Sequence, residues 1–352
     1  PDYPPRQRNS RNVSPDETFG SLWSEAGQPA RGARACKTEF HLMKSLSKAL
    51  QNKRPEPYGR RPTERHNSKG RPSDADLPAD WAPNEVAFLR EEENMASLRS
   101  PVTEFRSRLR KGEHVLGTFI KTPTSHAIEI IGDVGYDFVI VDQEHAPFDR
   151  GTIDLACLAA RASGTAALVR ISEPTAASIL SVLDCGATGV LLPHCDSLAK
   201  AKAIAQACRY RGGSRGFSNT TRAGRFGGAS MSDHMDEQDA RVACIAMIED
   251  EAALDEIDAI ASQSGLDAFF IGRGDLTASM GATGMKKAVA RIAAAANAAR
   301  MPMMVLVSSL EDAAALRDIG ATAYVVSNDQ NFLKAAAKSA LDAYSDPKKW
   351  QL

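Results

Sequence analysis

The segment VDQEHAPFD, residues 141–149, sets Asp142, Glu144 and His145 directly after an apolar run, DFVIV. An imidazole titrates near neutrality and can carry a proton between groups, and a carboxylate three residues before it can orient the ring and stabilise its charged form. Similar polar residues close other apolar runs. Arg170 ends AALVR, His194 and Asp196 follow GVLLP, Glu249 and Asp250 follow ACIAMI, and Asp275 lies in FFIGRGDL. An arginine such as Arg170 is costly to bury unless it faces an anion, a carboxylate or an enolate. Glu249 and Asp275, on successive apolar runs, have the donor type that a hard divalent cation takes, with positions left for water and substrate oxygens. Two carboxylates can also flank a sugar, but an aromatic content of 6 % and the lack of an evident sugar platform disfavour glycoside hydrolysis. For any one of these residues a helix cap or a rim ion pair is the plain alternative. Their shared position argues for a site.

Such a position requires elements that end together. From about residue 113, short β-branched runs alternate with alanine-rich amphipathic segments. Strands are expected at 115–121, 137–143, 166–172, 189–195, 243–249, 267–273, 303–309 and 323–328, each followed by a stretch of helical spacing. Eight βα units over roughly 230 residues fit a (β/α)8 TIM barrel, an α/β fold whose active-site groups rise from the C-terminal strand ends. An open doubly wound sheet is the alternative, because periodicity cannot register closure. One connection breaks the rhythm: residues 211–241, rich in Gly and Arg, follow strand four, so their first part is expected on the catalytic face.

Residues 1–94 differ in kind. They hold eleven of the eighteen prolines and almost no sustained apolar periodicity, the composition of a disordered N-terminal extension, with one short helix possible at 39–50. Ordinary composition starts at Met95, so the domain division is 1–94 and 95–352, with the extension read as non-native or the product of a mis-called start. A net charge of −1 supplies no field for nucleic acid or an acidic membrane surface, and no run approaches the ~20 apolar residues of a membrane span. The expected location is the cytoplasm. Six cysteines are scattered, with no paired spacing and no cluster of metal-ligand spacing, and most read as reduced and buried.

At these residues the chain resembles the HpcH/HpaI aldolase family, metal-dependent class II pyruvate aldolases that include 4-hydroxy-2-oxoheptanedioate and 2-keto-3-deoxy-sugar-acid aldolases. The motifs that carry the resemblance are GYDFVIVDQEHAPFD, ALVRIS, GATGVLLPHCDSLAKAKAIAQACRYRGGSRGF, MIED and FFIGRGDLTASMG, spanning about residues 113–335. The resemblance implies a (β/α)8 barrel, a homo-oligomer (commonly a hexamer built from dimers that exchange their last helix) and a divalent ion, Mg2+, Mn2+ or Co2+. By the same resemblance, Glu249 and Asp275 are the metal ligands, Arg170 lies against the pyruvate ketone oxygen, and His145 backed by Asp142 is the acid/base group. Backbone N–H groups around Gly274 and Asp275 would hold the pyruvate carboxylate. The implied reaction cleaves a 4-hydroxy-2-oxo acid to pyruvate and an aldehyde. Lyases of the citrate lyase β-subunit, malyl-CoA lyase or macrophomate synthase type are the enzymatic alternative, and a non-catalytic barrel acting as a binding scaffold is the other.

Two departures stand out. Met247 occupies the position where the best-known members carry Gln, and GRGD with Arg273 replaces their G-P-A/N-D. Arg273 could engage an acidic substrate tail or pair with a neighbour on the rim. Arg215, Arg222 and Arg225 of the long connection would favour an aldehyde bearing a carboxylate or hydroxyls, or form a solvated basic loop.

Overall fold

The computed structural model describes residues 102–346. The extension at 1–94, its helix at 39–50 and the start at Met95 lie outside the described residues. Eight parallel strands close into a barrel in chain order: β1 (Val115–Ile120), β2 (Phe138–Asp142), β3 (Ala166–Arg170), β4 (Gly189–Leu192), β5 (Ala243–Ile248), β6 (Ala268–Ile271), β7 (Met303–Val307) and β8 (Ala321–Asn328). Pairing of β8 with β1 completes the ring and excludes the open sheet. Seven of the eight strands end one to three residues before their expected bounds, because the last residues of each expected run leave the ladder at the rim.

Alternation along the strands separates two cores. Phe138, Ile140, Leu168, Ile245, Met247 and Phe270 point into the barrel, whereas Val139, Val141, Val169 and Ile248 face the surrounding helices. At the N-terminal mouth the barrel is plugged by α1 (Phe105–Arg110), whose Phe105 and Leu109 join the inner cluster. Phe138 fills the interior only because residue 117 is glycine: a Cβ there would lie 2.3 Å from its ring. Burying such a ring contributes about 1.5–3 kcal/mol.

The helices that follow are α2 (Ser125–Val134), α3 (Arg150–Ala162), α4 (Ala176–Asp184), α5 (Leu198–Ala207), α6 (Met231–Arg241), α7 (Ile257–Ala261), α8 (Arg273–Ala299), α9 (Leu310–Asp318) and α10 (Asp329–Tyr344). Side-chain caps from Thr124, Asp149, Thr175, Ser197, Ser230, Ser309 and Asn328 start most of them, each accepting a backbone N–H that the helix leaves unpaired. Two features differ from expectation. Helix α8 begins at Arg273, directly off β6, and is bent at Gly281 (φ 70°, ψ 170°), so GRGD belongs to a first helical turn rather than to a strand. The long connection also starts only after α5 has carried the chain away from the strand ends, and its arginines bind outer helices. Arg215 packs over Tyr210 near Asp184 of α4, Arg222 pairs with Asp154 of α3 at 2.6 Å, and Arg225 pairs with Glu237 of α6 at 2.5 Å. The connection therefore does not rise over the catalytic face as its position after strand four had implied.

Helix α10 stands apart. Of its residues only Asp329 is buried, while Leu333, Leu341 and Tyr344 are exposed. No helix among the described residues is long and apolar enough to cross a membrane.

Candidate active site

The inward-facing positions of the strands emerge at the C-terminal rim as the polar set seen in the sequence. Asp142 continues the row of Phe138 and Ile140, Arg170 that of Ala166 and Leu168, and Glu249 that of Ile245 and Met247. Lys121 continues Phe119 in the same way and is a site residue that the motif reading passed over. Its signal was the period of two carried one residue past the apolar run.

Asp142 and Arg170 are register partners on β2 and β3. The carboxylate accepts Arg170 Nε at 2.9 Å and Nη2 at 2.8 Å, and Lys121 Nζ reaches Oδ2 at 2.8 Å. Burial opposes ionisation of Asp142, but Arg170, Lys121 and the His145 N–H outweigh it and hold its pKa below the usual carboxylate range. Asp142 meets His145 through the backbone: the His145 N–H donates to Oδ1 at 3.2 Å. The contact of this carboxylate with His145 is thus to the main chain, and the same oxygens are shared with the two cations. The imidazole, more than half exposed, instead has Nε2 3.7 Å from Glu144 Oε2, and that carboxylate lies 3.3 Å from Arg170 Nη1. Glu144 thus stands between the base candidate and the guanidinium.

On the opposite side of the mouth Glu249 is 3 % exposed. Its Oε1 accepts the His194 backbone N–H at 2.9 Å, a contact made by a left-handed His194 (φ 54°). Burial, joined by the charge and hydrogen bond of Asp275, pushes the Glu249 carboxyl up to about 7 against the pull of His194. Two carboxylates held together against desolvation are a site short of positive charge. Burial works against charge on His194, yet Asp250, Glu249 and Glu144 raise its pKa; Nδ1 lies 3.1 Å from Asp250 Oδ2. Close approach of β6 to Glu249 demands glycine at 272, where a Cβ would stand 2.4 Å from the Glu249 Cβ. Among the described residues no three His, Cys, Asp or Glu side chains are gathered as a ready metal cage. The pair Glu249 and Asp275 fits the other type of site, in which two carboxylates hold a hard cation and water or substrate supplies the remaining oxygens.

Gly274 and Asp275 occupy the first turn of α8, whose start no side chain caps, so backbone N–H groups there are open to an anion. Arg273 is committed elsewhere: it forks onto Asp312 at 2.8 and 2.7 Å and donates to the Leu306 carbonyl, the rim pairing rather than the substrate contact. A cavity of about 1050 Å³ runs from this mouth, past Lys121, Arg170 and Leu306, along the outer side of β8 between α9 and α10.

The HpcH/HpaI aldolase/citrate lyase family model matches residues 116–336, from β1 into α10. The chain belongs to this family. Hydroxypyruvate/pyruvate aldolase of Paraburkholderia phytofirmans is 29 % identical over 70 % of this chain and 98 % of its own length. A 4-hydroxy-2-oxovalerate aldolase of Novosphingobium aromaticivorans is 36 % identical over 53 % of this chain and 71 % of its own. The crystal structure of an HpcH/HpaI aldolase/citrate lyase family protein from Burkholderia cenocepacia J2315 superposes with a TM-score of 0.65 at 27 % identity, covering 69 % of this chain and all of that one. Met247 is buried inside the barrel, and Glu249 accepts a hydrogen bond from the His194 main chain.

Proposed function

We propose that this chain is a divalent-metal-dependent aldolase that reversibly cleaves a 4-hydroxy-2-oxo acid to pyruvate and an aldehyde. The observation that carries the reading is the buried Glu249 carboxylate beside Asp275, facing Arg170 and His145 across the mouth of an HpcH/HpaI barrel. Glu249 and Asp275 would hold Mg2+, Mn2+ or Co2+, which when bound supplies Lewis acidity at the pyruvate ketone. Arg170, held by Asp142 and Glu144, presents fixed positive charge where the ketone oxygen becomes negative. His145, above the rim, takes the proton of the C4 hydroxyl through a water, and C3–C4 cleavage leaves the enolate of pyruvate, which collects a proton to depart. N–H groups of Gly274 and Asp275 receive the pyruvate carboxylate, and the absence of a Cβ at 274 lets it approach. Asp142 acts through Arg170 and the His145 backbone, as a positioning residue.

Exchange of the pyruvate methyl protons in D2O, with Mn2+ and with EDTA, tests this without knowledge of the aldehyde. Exchange that needs the ion and is lost in Glu249→Ala is the expected result. No exchange in the metal-loaded parent, or unchanged exchange in Glu249→Ala, overturns it.

Assembly belongs to the same proposal. The exposed apolar residues of α10 and the cavity flanked by Leu310, Ala313 and Tyr324 support a homo-oligomer whose subunits exchange this helix, a hexamer in the family pattern. Light scattering of Leu333→Asp/Leu341→Asp is expected to give smaller species than the parent.

A further inference from the structure

The geometry points to Lys121 as the residue that selects the aldehyde, by binding a carboxylate on the carbon chain beyond the carbonyl. This rests on the aldolase reading of the same mouth and adds its substrate class: aldehydes that are themselves acids.

The cations around the site divide by what their donors already do. Arg170 spends Nε and Nη2 on Asp142 and turns Nη1 toward Glu144. Arg273 is forked onto Asp312 and bound to the Leu306 carbonyl. Arg215, Arg222 and Arg225 sit with Asp184, Asp154 and Glu237 on the outer helices. Lys121 differs from Arg170, Arg273, Arg222 and Arg225 in its unspent donors, and from Arg215, whose guanidinium is buried without hydrogen bonds, in lining the cavity. Its ammonium carries three N–H donors, and among the described residues Asp142 is its only side-chain partner. The side chain is 25 % exposed and lines the cavity together with Arg170, Ser308, Ser327 and Asn328.

The lysine is also held in place. Both carboxylate oxygens of Asp329 accept backbone N–H groups at the end of β1, Lys121 at 2.8 Å and Thr122 at 3.0 Å, and Asp142 fixes the ammonium from below. A cation anchored at both ends, with donors left facing a cavity, is preorganised for an anion and pays little to order itself on binding. It lines the cavity together with Arg170, whereas Glu249 and Asp275 are not among the residues lining it, so a substrate with its pyruvate half at Glu249 and Asp275 would extend its aldehyde half past Arg170 into the space that Lys121 borders.

The test compares two four-carbon aldehydes, succinic semialdehyde and butanal, as acceptors for pyruvate with the Mn2+-loaded full chain. The parent is expected to favour the acid by roughly ten- to hundredfold in kcat/KM, the range of one charge-assisted hydrogen bond. In Lys121→Met that ratio falls toward one, and in Lys121→Arg it is retained. A lysine that only holds Asp142 would move both aldehydes alike and leave the ratio unchanged, which overturns the assignment, as does a parent without preference for the acid. For a Lys121→Met protein too slow to assay, butyrate binding to the pyruvate- and Mn2+-loaded protein decides: weakening of tenfold or more supports the assignment, and equal binding overturns it. Absent methyl exchange in the parent would instead sink the aldolase reading itself, so the two failures are distinguishable.

Discussion

The Asp142 carboxylate and the Arg170 guanidinium meet as a two-pronged pair between adjacent strand ends, with donor–acceptor distances of 2.9 and 2.8 Å and Asp142 fully buried. Arg170→Lys keeps the charge but loses the fork. Its expected effect is a fall of about 10²–10³ in pyruvate methyl exchange, the scale of one lost donor to a developing oxyanion. Arg170→Ala leaves a buried charge with one cation fewer and is expected to cost about 3–5 kcal/mol in urea unfolding as well.

The same pair has a pH signature. Arg170 and Lys121 overcome the effect of burial and lower the Asp142 pKa from 3.8, while the unfolded chain titrates near that ordinary value. The stabilisation is therefore complete above the unfolded pKa and is lost as pH falls through the lower, folded one. Urea midpoints of the parent and Asp142→Asn should differ by a constant amount from pH 7 to about 5 and converge below about 4. A gap that stays constant into that acid range would contradict it.

Gly272→Ala addresses the carboxylate pair without touching either carboxylate. The new Cβ would meet the Glu249 Cβ at 2.4 Å and Oε2 at 2.8 Å, so Glu249 must turn away from Asp275. Manganese affinity read by electron paramagnetic resonance should fall by about tenfold or more, as for lost supporting contacts at metal sites.

The five cysteines among the described residues should be inert. Cys157, Cys185, Cys195, Cys208 and Cys244 are all buried, and burial pushes the Cys157 and Cys195 thiols up to about 12. A thiol-specific chromogenic reagent should leave these five unmodified in the native protein and label them in urea.

Much of this was legible beforehand because a strand's apolar run and its polar terminus are both local. FVIVD, AALVR and ACIAMI announce buried parallel strands, and the residue after each run falls on a face set by parity. What was misread depended on partners distant in sequence. Asp142 lies three residues from His145, yet its oxygens go to Arg170 and Lys121, which are 28 and 21 positions away. Arg222 and Arg225 of the long connection look free in the chain and become committed only when α3 and α6 come beside them, and Arg215 is buried over Tyr210 with Asp184 3.6 Å away. Helix α8 hid its start because no Ser, Thr, Asp or Asn precedes it, and that missing cap is what leaves its first N–H groups open.

Asp329 gives the site a mechanical root. Its carboxylate grips the main chain at Lys121 and Thr122 while its own backbone opens α10, so one side chain joins the tip of the first strand to that helix. A ligand that draws on Lys121 would act at the base of α10. A contact that seats that helix from outside the barrel would therefore bear on the lysine proposed to receive the aldehyde's carboxylate.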